Sequence, residues 1–175
     1  GAAPFEFTRD HFDQMVNNVH THPSFKRDGA GVACENVIPW DFNHASEADP
    51  TSGSLPEMGA PARAWTRDLE VRTGSNGKSE LWALTHFLEP AREYVKSGQY
   101  KWSSIAATFN ATDPVSGGDQ GALITSIAFT NTPFIEGMES LVAARGQAKP
   151  KAEPSEVLDN PPGMNQRINA GVNTE

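Results

Sequence analysis

His44 closes residues 37–44, VIPWDFNH, whose apolar members Val37, Ile38, Trp40 and Phe42 are bounded by polar residues, the composition of a short buried strand. An imidazole titrates near neutral pH, so this position can hold a base. If the strand is regular, Phe42 and His44 share one face, and Asp41 and Asn43 share the other. Asp41 then reaches His44 only if the chain bends there. Residues 100–110, YKWSSIAATFN, read as a later strand in which Trp102, Ser104 and Ala106 face one way and Ser103 and Ile105 the other, so the two serines cannot address one partner. Residues 122–133, ALITSIAFTNTP, read as a last, mostly apolar strand ended by Pro133, with Ile124, Ser126 and Ala128 on one face. A histidine at one strand end, a serine in a later strand and a third polar group in the last make a base, a nucleophile and an orienting group, the parts of an activated hydroxyl. Taken alone, His44 also reads as a hydrogen-bonded residue at a strand end, and serine is abundant.

Other chemistries find less to stand on. His20 and His22, with His11 upstream, suggest a metal site, but no Cys, His or carboxylate cluster beside them completes a tetrahedral set, so we read a loop there and no metal or cofactor. Cys34 is the only cysteine, which excludes an internal disulfide framework and a thiolate metal site. There is no G-x-S-x-G elbow, no Gly-rich phosphate loop and no H-E-x-x-H motif. A formal charge of −8 and a pI near 5.1 argue against a surface that holds nucleic-acid phosphates.

The elements that must position these residues are short. The 175 residues suit one domain, and 37% apolar residues, a mean hydropathy of −0.50, 15 glycines and 13 prolines point to a loop-rich, strand-containing protein. No stretch is long and apolar enough to cross a bilayer, and GAAPFEF lacks the regions of a secretory leader, so the expected setting is cytoplasmic and away from membranes. Residues 8–19 place Phe12, Met15, Val16 and Val19 at helical spacing, with Thr8 as N-cap. Residues 45–62 are rich in Ser, Pro, Gly and acids, which predicts an exposed loop or lid just past His44. A hairpin follows, with strands over 62–72 and 79–87 joined at Ser75-Asn76-Gly77; His86, at its end, reads as structural or exposed. Residues 89–97 form a short helix ended by Gly98, and Ile135, Met138, Leu141 and Val142 suggest a closing one. From 145 onward prolines and polar residues leave too little apolar surface to offset ordering, so the folded unit is residues 4–144 and residues 145–175 a flexible tail or linker.

The order FTRDHFDQMV, VIPWDFNH, PARAWTRDLEVR, LWALTHFLEPAREYVKSGQYKWSS and LITSIAFTNTPFIEGM resembles the Mu-type phage proteases, capsid maturation proteases encoded beside a scaffolding protein, over residues 5–142. More distantly it is similar to tailed-phage prohead proteases and herpesvirus assembly proteases, whose histidine ends a strand in a context like Phe42-Asn43-His44. The resemblance implies a small α+β domain, a mostly antiparallel, barrel-like sheet with peripheral helices, as in the herpesvirus enzymes. It implies His44 as catalytic base and Ser104, rather than Ser103, as nucleophile. The third position, an acid or a histidine in those relatives, falls on Ser126. A hydroxyl can fix the imidazole's tautomer but cannot stabilise an imidazolium as a carboxylate does, which predicts a slow enzyme; Glu136 or a carboxylate of the 45–60 loop is the candidate for the missing charge. The implied activity is a serine endopeptidase that trims scaffold, capsid protein and itself inside the prohead, in the host cytoplasm. The implied partners are the scaffolding protein and the major capsid protein, with a homodimer by analogy to the herpesvirus enzymes. A non-catalytic assembly protein of the same fold is the rival.

Overall fold

The computed structural model describes residues 6–47, 60–133, 140–141 and 164–168. Thr8 caps helix α1 (Arg9–Thr21): its hydroxyl accepts from His11 N–H and its own N–H donates to His11 Nδ1, a capping box with histidine in the usual carboxylate position. Phe12, Met15 and Val19, on one stripe, are buried. Strand β1 (Ile38–Phe42) is followed by a 3₁₀ turn (Ala45–Glu47). Strands β2 (Ala64–Thr73) and β3 (Ser79–Phe87) form the expected hairpin, with Gly77 at φ +77° where the turn requires a left-handed residue. Helix α2 (Ala91–Lys96) is the short helix, and Gly98 follows it at φ +75°. Strands β4 (Trp102–Thr112) and β5 (Asp119–Thr130) make a second hairpin, and β6 (Met164–Ile168) comes last.

The sheet runs β4-β5-β1-β2-β3-β6. Every pairing is antiparallel except β1 with β5. The α+β class and the mostly antiparallel pairing match the expectation, but the barrel-like closure does not. A barrel needs a ladder between its first and last strands; β4 and β6 are not hydrogen-bonded to each other, so the sheet is open. Residues 134–139 and 142–163, which hold most of the closing helix and tail expected there, lie outside the described residues. Beyond them, Met164–Ile168 pairs with β3, from Leu81↔Ile168 to Thr85↔Met164.

Cross-strand partners share a face, so the register sorts the sheet into two sides. On the helical side, Trp40, Ile127 and Ile105 align, and Phe42, Phe129 and Ser103 form the next row. Here α1 and α2 bury Phe12, Met15, Ala91 and Val95 against Trp40, Phe87, Phe129 and Ile127. On the opposite side, Asp41, Ala128 and Ser104 form one row and Ser126 with Ala106 the next.

Candidate active site

Ser103 and Ser104 divide as the strand period requires. Ser103 lies 1% exposed on the helical side, and among the described residues its Oγ has no hydrogen-bond partner. Ser104 is half-buried on the opposite side, in register with Ala128. Because β5 alone separates β4 from β1, Ser104 and Asp41 stand two strand spacings apart, about 10 Å between backbones. The residue between them is Ala128, whose methyl leaves the space above β5 to other side chains.

His44 does not continue the strand. β1 stops at Phe42, and Asn43 and His44 both adopt left-handed backbone, at φ 55° and 57°. Asn43 N–H still donates to Phe129 C=O at 3.0 Å. The shared face expected for Phe42 and His44 is therefore corrected. A regular strand would have sent His44 to the helical side, away from Ser104; the left-handed pair turns the chain back over the other side. Ser46 N–H donates to Asp41 Oδ2 at 2.8 Å, and the Ser46 hydroxyl donates to the same oxygen. Glu47 N–H closes the 3₁₀ turn on His44 C=O at 3.0 Å. Two consecutive non-glycine residues in this region are strained, a cost that persists only where surroundings enforce it and that concentrates at functional sites.

Ser126 is 2% exposed and donates to Glu47 Oε1 at 2.6 Å. Thr125 Oγ1 donates to the same oxygen at 3.0 Å. Both hydroxyls reach it because the ladder shifts between Ala106/Ser126 and Ala107/Ile124, leaving Thr125 as the extra residue of a bulge. The structure thus brings Ser126 to a carboxylate of the 45–60 loop, and Ser104 and Asp41 to one row. Among the described residues no hydrogen bond joins His44 to Ser104 or to Ser126. Glu136 lies outside the described residues.

Sequence reasoning passed over Asp41 and left Glu47 unnamed. Asp41 is 3% exposed, and its second oxygen, Oδ1, is buried without a partner among the described residues; so is His44 Nδ1. Only the bend after Phe42 makes Asp41 relevant, and an Asn-His pair without glycine carries no strong signal for it.

The three N-terminal histidines hold separate places: His11 in the cap, His20 Nε2 on Asp68 Oδ1 at 2.7 Å, and His22 Nδ1 accepting from Ser24 N–H at 3.1 Å. Among the described residues no group of His, Cys, Asp or Glu side chains could hold a metal. A polar cavity of about 550 Å³ lies between α1 and the β4–β5 loop, at the far end of that hairpin from Ser104. Its Gln14 and Asn18 are occupied with the backbone of β5.

In comparisons with known proteins, residues 3–142 match the family described as Mu-like prophage I protein, N-terminal domain. No curated protein and no solved structure matches the chain.

Proposed function

The chain belongs to the Mu-like prophage I protein family, and from that premise we propose that it is a serine endopeptidase of phage head maturation, with Ser104 as nucleophile and His44 as base. The observation that supports this reading is the left-handed turn at Asn43-His44, after which Ser46 and Glu47 reach Asp41 and Ser126 on the side of the sheet that bears Ser104. In the reaction, His44 removes the Ser104 Oγ proton as Oγ attacks the peptide carbonyl carbon. Backbone N–H groups near Ser104 or in the Thr130–Pro133 turn hold the oxyanion; β4 is an edge strand, so alternate N–H groups point away from β5. Collapse expels the amine, which takes the proton from His44. A water, deprotonated by His44, then hydrolyses the acyl-enzyme and restores the Ser104 hydroxyl. The substrates are scaffold and capsid proteins and the chain itself, the site of action is the prohead interior in the host cytoplasm, and a homodimer is the working form.

A serine-directed phosphonate tests this directly. Labelling of the wild-type protein that is lost in Ser104→Ala and kept in Ser103→Ala supports the reading; labelling kept in Ser104→Ala overturns it. A second reading, a non-catalytic assembly protein, is favoured by one observation: among the described residues His44 and Ser104 are not hydrogen-bonded. Catalytic hydrogen bonds are often long without substrate, so labelling decides between the two.

A further inference from the structure

The base of an activated serine needs an acceptor on its second ring nitrogen, both to set the tautomer and to stabilise the imidazolium. Ser126 cannot be that group alone. Its hydroxyl, which donates to the Glu47 Oε1 that Thr125 also shares, can accept a hydrogen bond but carries no charge to stabilise an imidazolium.

Two buried atoms in the same turn have complementary needs. Among the described residues His44 Nδ1 and Asp41 Oδ1 both lack a hydrogen-bond partner. They belong to residues three apart, across the left-handed pair that folds the chain back. The other oxygen of Asp41, Oδ2, is fixed by the Ser46 N–H and hydroxyl, which holds the carboxylate in place. A buried polar atom left alone keeps its desolvation penalty, so a rotation that joins a donor to an acceptor relieves both. The register adds the third element: Asp41, Ala128 and Ser104 form one row. An imidazole lying over the alanine stands between the carboxylate and the hydroxyl.

We propose that Asp41 is the positioning carboxylate for His44, accepting from Nδ1–H so that Nε2 is left to take the Ser104 proton. Resting on the serine-peptidase reading, this assigns the charge that the hydroxyl at 126 does not supply. Ser126 and Glu47 then act as a latch that holds the turn down on β5.

The first test needs no activity. Nitrogen-15 chemical shifts of His44, assigned by loss in His44→Gln, are expected to report the Nδ1–H tautomer in the neutral wild-type protein; an Nε2–H tautomer overturns the proposal. The second is Asp41→Asn, which keeps an oxygen for Ser46 and removes the charge. The saturating rate of phosphonate labelling at Ser104 should fall on the order of 10²-fold, with the half-saturating concentration and Tm unchanged. Wild-type labelling by a folded Asp41→Asn protein overturns the proposal, and if that variant does not fold the tautomer decides. Failure of the wild-type protein to label at all, or labelling kept in Ser104→Ala, sinks the peptidase reading instead and leaves the tautomer result to report on the Asp41–His44 pair.

Discussion

Ser103 and Ser104 show how much one step along a strand decides. Ser104 lies on the side that carries Asp41 and Ser126, while Ser103 lies in the row of the Phe42–Phe129 ring pair, whose centroids are 5.8 Å apart, and its buried hydroxyl has no partner among the described residues. Removing an unsatisfied buried hydroxyl recovers its desolvation penalty at the cost of a small void. Ser103→Ala should therefore raise the urea-unfolding free energy by about 1 kcal/mol; a loss of that size instead would mean that the hydroxyl has a partner. Alternation alone made this pair legible in sequence, because strand period is local. The roles of His44 and Asp41 were legible only in part. Their relation depends on backbone sign at Asn43 and His44, and residues of those types occupy left-handed geometry often enough to allow it but not to announce it.

At the scale of elements, helices and hairpins were readable because each buries a stripe or face of its own period. α1, the β2–β3 hairpin and α2 all appear within a few residues of where periodicity and turn residues predict them. What periodicity cannot give is pairing between distant strands: the parallel β1–β5 ladder, the bulge at Thr125 and the open edge are set by tertiary packing. One juxtaposition of elements has a measurable effect on stability. His86, near the end of β3, is depressed below its ordinary value of 6.5, first by burial and then by the guanidiniums of Arg67, in the irregular stretch of β2, and Arg92, in α2. The unfolded chain therefore takes up this proton at higher pH than the folded one. Its contribution to stability is complete above the ordinary value and is lost as pH falls through it toward the folded one. Thermal unfolding at pH 7 and pH 5 should show a larger drop in Tm for wild type than for His86→Gln; equal drops would remove His86 from the account.

For the whole molecule, the decisive feature is an open sheet whose last strand is supplied from far along the chain. β6 covers the outer edge of β3, an edge that would otherwise present unpaired N–H and C=O groups to other chains. Adjacent residues of an antiparallel strand alternate between facing the ladder and facing away, so one of Asn165 and Gln166 donates to β3. Replacing both with proline should free that edge and produce concentration-dependent self-association by sedimentation, while the urea-unfolding free energy of the remaining sheet changes little. A variant that stays monodisperse at every concentration would show that β3 is protected by other means. Composition carries no sign of this strand, because five residues leave no trace when their partners lie far back along the chain.

Holding that border by a covalent tether also makes its coverage depend on an unbroken backbone. While the polypeptide is continuous, the strand competes for its groove at the high local concentration that a short connection provides. A single backbone scission between residues 145 and 163 would turn it into a separate ligand held by a few ladder rungs. It would then be lost by simple dilution, and the vacated groove would open to a strand from another molecule only after the cut.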